Sequence, residues 1–381
     1  MTRKPITFTQ DHARQKWRKR RSRLLRLALL LFVVLAVAGI SLYFQRLLAT
    51  EEALARRRLE TFAELRASAV RRFLLSHQQE TALWSQQKTL TDIARQYIDI
   101  WQRMTPEEKV GMRYLFVPKN KRTIKAARLH PITDAYADYT ELHALTYANL
   151  RQFMKHHGYH DIYFFTPAGD LAFSVAKEDD FGFNFANNGG PYAATGLGEA
   201  FRRANALSTP GNAVFVDFSF YPPSGNAPAA FFAAPMFDDS GRKIGVYAIQ
   251  ISVSRLNASL RHHPGLGRTV RTYAVGQDHL LRSNLPDERQ PTLLRKKVDI
   301  GPVKRALEGK RASAIVRDDE GERRYLVALP MNFADVRWAI VTDMSLRELR
   351  EPYQPYRWLW IFSVALIILL GLVQWWLLRR E

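Results

Sequence analysis

The chain has 381 residues, with 56 Lys or Arg against 36 Asp or Glu, a formal charge of +20 and no cysteine. The missing cysteines exclude a disulfide framework, and the length leaves room for one or two cores of ordinary size. Half of the positive charge is concentrated in the N-terminal flank, where its simplest role is membrane topology and attraction to anionic lipid, so no nucleic-acid partner is expected.

Residues 1–26 carry Arg3, Lys4, Arg14, Lys16, Arg18, Lys19, Arg20, Arg21, Arg23 and Arg26 against Asp11. The run LALLLFVVLAVAGISLYF, residues 27–44, follows without a charge. At about 1.5 Å of rise per residue it covers the hydrocarbon thickness of a bilayer. A cleaved signal peptide begins in the same way, but this run exceeds an ordinary h-region and AVAGISLYFQRL leads directly into helix-forming sequence. A second span, WLWIFSVALIILLGLVQWWLL (358–378), has Trp358, Trp360, Trp375 and Trp376 near its ends, as interfacial aromatic belts require. Arg379 and Arg380 follow it, so both termini are expected in the cytoplasm and residues of about 45–356 outside.

From 45 to 105 Gly and Pro are absent, and Leu59, Phe62, Leu65, Ala69, Phe73 and Leu74 recur at helical spacing. One helix of roughly 90 Å is expected, long enough to carry movement to the membrane. A further helix is expected over 134–156. The period then changes to that of strands: DIYFF (161–165), LAFSV (171–175), AVFVDFSFY (213–221), APAAFFAAPMF (227–237) and KIGVYAIQIS (243–252), separated by Gly, Pro, Asn and Asp turns such as DDSG. The same order returns in TYAVG (272–276), LLRSN (280–284), SAIVR (313–317), RRYLVALPM (323–331) and VRWAIVTDM (336–344). The fold class is α+β, with two tandem α/β modules and antiparallel sheets, at 106–255 and 256–349. A linker at 350–357, where Pro352 and Pro355 disfavour helix, precedes the second span.

On strand 213–221, alternation puts Phe215, Asp217, Ser219 and Tyr221 on one face and Val214, Val216, Phe218 and Phe220 on the other. A carboxylate amid an apolar strand costs several kcal/mol unless partnered. Asp217 therefore needs either backbone amides or a ligand. Asp179, Asp180 and Asn184 in KEDDFGFNF suit a cap or turn first, and the mouth of a pocket second. His156, His157, His160 and Asp161 in HHGYHD hint at metal, but Gly158 interrupts any helical pairing, so no metal or other cofactor is expected. His262 and His263 read as a linker. No Gly-x-Ser-x-Gly elbow, Walker loop or catalytic cysteine is present, and no enzymatic activity is expected, with an extracytoplasmic hydrolase as a remote alternative.

KEDDFGFNF (177–185), the stretch from Val216 to Ser252, and GLGRTVRTYAVGQDHLLRSN (265–284) resemble the double Cache sensor domain of bacterial chemoreceptors, sensor histidine kinases and cyclases. The resemblance covers about 50–345. It implies two PAS-like modules on a long N-terminal helix, with an unknown small molecule bound in the membrane-distal one. Amino-acid-binding members hold the ligand's ammonium with an aspartate near the place of Asp217 and another on the last strand. Here that last-strand position is Gln250 and their Arg-x-Trp-Tyr stretch is not visible, which turns the expectation away from amino acids. The candidate ligand-binding set is Phe215, Asp217, Ser219, Tyr221, Gln250, Asp180 and Asn184.

Such receptors ordinarily continue past the second span, whereas here Arg379, Arg380 and Glu381 follow. Three expectations compete: a sensor signalling through a partner in the membrane or cytoplasm, one that has lost its output domain, or the sensor part of a longer chain. In each, a homodimer packed along the long helix is the simplest transmitter in a bacterial inner membrane. A scaffold that binds another envelope protein is the contrasting class.

Overall fold

The computed structural model describes residues 8–117, 133–260, 267–351 and 354–380. Helix α1, Phe8–Trp84, runs unbroken from the basic flank through the first apolar run and along the folded modules. It stops before the expected end at 105. Ser85 Oγ and Gln86 Nε2 both donate to the Ala82 carbonyl, and this side-chain competition for the backbone turns the chain without Gly or Pro. Helix α2, Lys88–Arg103, then folds back. Helix α3, Pro106–Phe116, starts at a capping box in which Thr105 and Glu108 exchange side-chain and backbone bonds. Helix α4, Asp134–His157, ends at Gly158, whose φ of 71° is the left-handed cap conformation.

Strands β1 (Tyr159–Phe165), β2 (Leu171–Ser174), β3 (Val214–Tyr221), β4 (Ala227–Phe237) and β5 (Lys243–Ile251) form an antiparallel sheet in the order β2-β1-β5-β4-β3. Helix α5, Gly196–Asn205, crosses between β2 and β3. One face of the sheet, with Ile162, Phe164, Phe173 and Tyr247, packs on Val70, Tyr97, Trp101 and Tyr139 of the long helices. The other, with Tyr163, Phe165, Phe231 and Ala248, packs on Leu197, Ala200 and Phe201 of α5.

Helix α6, Val253–Leu260, precedes the second module. There β6 (Arg271–Val275), helix α7 (Gly301–Leu307), β7 (Ala312–Arg317), β8 (Arg323–Phe333) and β9 (Val336–Ser345) give an antiparallel sheet in the order β6-β9-β8-β7. The expected strand 280–284 is not a member. Leu280 and Leu281 make only isolated bridges because the 292–297 loop takes up the backbone of Leu281. This sheet rests on α1 through Leu59, Phe62 and Ala63. Much of the apolar stripe read from the sequence is therefore covered within the chain, while Leu65 remains 60% exposed.

After the short helix α8, Leu346–Arg350, helix α9 spans Gln354–Arg380. Pro355 falls in its first turn, where a missing N–H costs nothing, so it opens the helix instead of breaking it as expected. Pro352, His262 and His263 lie outside the described residues. Trp360 Nε1 donates to Ser41 Oγ at 3.2 Å, and Gly371 lies against Val33. The two apolar helices therefore pack antiparallel.

Candidate functional site

A cluster of buried polar side chains lies at the edge of the α5 face of the first sheet. Strand β1 supplies Asp161, 0% exposed, whose Oδ1 accepts backbone N–H groups from Ile162, Val175 and Ala176 at 2.7–2.9 Å. Those bonds hold the start of the loop after β2. Lys177 then adopts a φ of 54°, a left-handed conformation unusual outside Gly and Asn, with its N–H on Ser174 Oγ. The reversal carries Asp180 into the interior, where Oδ2 accepts the Tyr221 hydroxyl.

Around this pair, Ser224 Oγ donates to Glu178 at 2.5 Å, and Gln250 Nε2 lies 3.5 Å from the same Ser224 hydroxyl. Tyr163 donates to Gln250 Oε1 at 2.8 Å. Phe231 forms an apolar wall, edge-on to Tyr221 at 5.1 Å and near Tyr163 at 6.3 Å. Above it sits the start of α5. A Cβ at Gly196 would approach Ser219 Oγ to 2.9 Å and the Phe231 ring to 3.4 Å, so the helix start crosses this strand face closely.

Burial dominates the electrostatics. It pushes Asp180 up to about 8, against the Tyr221 hydrogen bond and helped by repulsion from Asp161 and Glu178. Burial likewise raises Asp161 to about 7, although three backbone donors oppose it. Lys177 is pushed well below the ordinary lysine range by burial, and its Nζ sits over the rings of Phe173 and Phe181 at 4.0 and 4.2 Å. Among the described residues, Asp180 Oδ1, Asp161 Oδ2 and Ser219 Oγ in this region are buried without a hydrogen-bond partner, as are several atoms elsewhere. Buried polar atoms are normally satisfied, and those left over call for an explanation. A carboxyl whose ionisation is suppressed by burial becomes a strong acceptor when a cationic or donor group arrives beside it.

The residues expected to share one face of β3 do not. A β-bulge between Val216 and Ser219 adds a residue and reverses the alternation. Ser219 and Tyr221 face α5, whereas Phe215 and Asp217 face the second module. Phe215 packs near Phe232, Phe333 and Trp338. Asp217 Oδ2 accepts from Arg282 Nε at 2.9 Å and Trp338 Nε1 at 3.2 Å, while Oδ1 accepts the Phe218 N–H. Asp217 thus joins the modules and lies apart from the polar cluster; its partners are neither the preceding tract nor a pocket.

Asn184 also lies apart. Its side chain donates to Ala168 O and Asp170 and accepts from Ala186, closing the turn after the β1–β2 hairpin. Asp180, Ser219, Tyr221 and Gln250 do come together. Glu178, Tyr163 and Ser224 join them unannounced, as do Arg282 and Trp338 at the Asp217 contact, and Asp161 joins them from the HHGYHD stretch that hinted at metal. Asp217 stood out in the sequence as a carboxylate in need of a partner, but Arg282, 65 residues away, did not stand out as that partner. His157 lies beside Glu80 and His160 beside Glu178, at 3.8 and 3.9 Å.

No family model matches the sequence, and no curated protein matches it. Solved structures with a similar fold include the ligand-binding domain of the Campylobacter jejuni chemoreceptor Tlp3 in complex with 4-methylisoleucine. That match has 14% identity, covers 80% of this chain and 95% of that one, and has a TM-score of 0.46. The Tlp3 sensory domain without a named ligand matches at 12% identity, 80% and 98% coverage and a TM-score of 0.46. The ligand-binding domain of the Pseudomonas fluorescens chemoreceptor CtaA in complex with L-serine matches at 15% identity, 76% and 96% coverage and a TM-score of 0.42. All three are ligand-binding or sensory domains of bacterial chemoreceptors.

Proposed function

We propose that the chain is a membrane-anchored sensor whose first module binds a small molecule bearing an ammonium or comparable donor group. The observation that carries this reading is the buried carboxyl of Asp180, with Oδ1 unpartnered beside Glu178 and Asp161. Buried carboxyl oxygens are normally hydrogen-bonded, and here Asp161 Oδ2 is open as well as Asp180 Oδ1, so two buried acceptors of one cluster lack donors. The amine would bond Asp180, Ser219 would accept or donate a second bond, and Tyr163, Tyr221 and Phe231 would enclose the apolar part. The reading is of a sensor and not of an enzyme.

The antiparallel packing of α1 and α9 supports two passes with both termini on one side, and the arginine-rich flanks favour the cytoplasm for them. Such a chain would lie in a bacterial inner membrane with its modules outside. A cytoplasm-only reporter fused after Glu381 is expected to be active, and one inserted near Asn226 silent; the reverse result overturns the topology. Leu54 and Leu65, 44% and 60% exposed on α1, are the side chains along which two copies would pair.

Ligand binding is tested by melting the full chain in neutral detergent against amines, amino acids, organic acids and nucleobases. A ligand at about 100 times its dissociation constant adds roughly 2.7 kcal/mol. Shifts confined to compounds with a cationic nitrogen support the reading. Shifts only with anions would sink the assignment of Asp180, and silence across the panel would favour a scaffold.

A further inference from the structure

Where the second module meets the membrane helices, a cavity of about 560 Å³ is lined by Arg317, Arg323, Arg347, Arg350 and Arg357, with Leu48 and Leu346 as its apolar wall. The arginines come from four places: the β7–β8 hairpin ends, α8, and the first turn of α9. Two acids also line it, and both are engaged. Glu52 is paired with Arg56 at 2.5 Å and Arg350 at 3.3 Å, and Glu322 accepts from Ser345 Oγ at 2.6 Å and Arg324 at 3.4 Å. Arg323, Arg347 and Arg357 make no ion pair among the described residues. Five guanidinium groups gathered around one cavity repel one another, and the fold has left them without sufficient counter-charge.

The position of the cavity says what could supply it. Leu48 lies four residues beyond Phe44, the last residue of the first apolar run, which is about 6 Å along a helix. The headgroup layer is roughly 5–8 Å deep on each side of the hydrocarbon. Arg357 immediately precedes Trp358, which is 59% exposed at the start of the second run. The cavity thus opens at headgroup depth, with apolar residues toward the acyl chains and guanidinium forks toward the phosphate plane. Arginine binds phosphate oxygens bidentately, which an ammonium cannot do.

We propose that this cavity binds the phosphate of an anionic phospholipid in the leaflet facing the sensory modules. The site would tie α1, the β7–β8 hairpin and α9 to one lipid at the point where any movement must enter the membrane. It rests on the membrane-anchored part of the proposed function and not on the amine site, and its test reads a different ligand, so either can fail alone.

The full chain in neutral detergent is melted with dioctanoyl phosphatidylglycerol, dioctanoyl phosphatidylcholine and inorganic phosphate. Phosphatidylglycerol is expected to raise the melting temperature at concentrations where the other two do not. In the double variant Arg323→Ala, Arg347→Ala the apparent affinity should fall at least tenfold, about 1.4 kcal/mol. Arg71→Ala with Arg72→Ala, which removes the same charge from an exposed part of α1, should leave it unchanged. Equal shifts with phosphatidylcholine, an unchanged response in the first double variant, or an equal loss in the second each overturn the site. An equal shift with inorganic phosphate overturns the lipid as its occupant. Native mass spectrometry of the unmodified chain gives a readout that needs no variant: one phosphatidylglycerol retained per chain supports the site, and equal retention of phosphatidylcholine refutes it.

Discussion

The two modules each bury an aspartate almost completely, and they treat it in opposite ways. In the second, Asp343 is 1% exposed and lies between Arg324 Nε at 2.5 Å and Arg271 Nε at 3.0 Å. In the first, Asp180 is 0% exposed and faces Tyr221 on one oxygen and no described partner on the other. The architecture is the same, an antiparallel sheet with helices on its faces, so the difference belongs to the side chains. A buried carboxylate between two arginines is complete and can only hold elements together. One that burial keeps protonated, with an oxygen open, is the carboxyl that the proposed sensor reading gives to a ligand.

The largest expected effect comes from breaking the complete site. Asp343→Ala removes the buried carboxylate between Arg271 and Arg324, leaving Arg324 only Glu322 at 3.4 Å and Asp318 at 3.9 Å and Arg271 only Asp287 at 4.0 Å, and should destabilise the second module by about 3 kcal/mol, read by urea unfolding of the full chain in detergent. A loss below about 1 kcal/mol would mean that the modules differ less than their geometry implies.

Asp180→Asn should act on binding and on stability with opposite signs. For any amine that shifts the wild type, affinity should drop by about 1.5–3 kcal/mol, the range for a hydrogen bond to a charged group. The unliganded protein should become more stable at neutral pH. The folded-state pKa of Asp180 is raised from 3.8 to about 8, so between those values the fold keeps a proton that the unfolded chain has released. Stability is then lost as pH rises through that window, and Asp161, raised to about 7, adds a loss of the same sign. The neutral amide removes the Asp180 part, a gain of roughly 1–3 kcal/mol. Amine affinity in the wild type should climb across the same window and level off above about pH 8, because binding needs the carboxylate. Calorimetric titrations at several pH values measure this; a flat profile would place the amine elsewhere.

Asp217→Ala sharpens the contrast, because Asp217 lies in the first module but belongs to the paired kind. Arg282 keeps Asp278, 2.9 Å from its Nη1, so the expected loss is about 1–2 kcal/mol of stability with amine affinity intact. A selective loss of affinity would put Asp217 back among the ligand contacts. The smallest effect is expected from Ser219→Ala, about 0.5–1.5 kcal/mol in ligand affinity and almost nothing in stability, since its hydroxyl bonds no described group.

Several elements were legible from the sequence because their signals are local. The turns at Asp238 and Asp318 close as DDSG and DDEG suggest, each with Oδ1 accepting later backbone N–H groups. Nine of the ten expected strands formed near their expected limits. The tenth, 280–284, failed because another loop competed for its backbone, and no local pattern reports that. The end of α1 at Trp84 was hidden for a related reason: Ser85 and Gln86 break the helix by bonding back to Ala82, and neither residue is a conventional breaker. At the site, Asp180 was named as a cap or pocket-mouth residue and Gln250 through the resemblance, but the pairs that complete the cluster, Glu178–Ser224 and Tyr163–Gln250, join residues 46 and 87 positions apart.

Hydropathy alone determined the two apolar runs, the charge asymmetry around them and the succession of helices and strands, since periodicity and turn chemistry act over a few residues. The tertiary structure decided which way β3 points its side chains. One extra residue at the bulge sends Asp217 to Arg282 and Trp338 and leaves Ser219 and Tyr221 on the α5 face, with Tyr221 bonded to Asp180. A strand's two faces exchange with a shift of one residue, and that shift is set by the partner strand. Whether a carboxylate is paired or left waiting depends on groups brought together only when both sheets and α5 are in place.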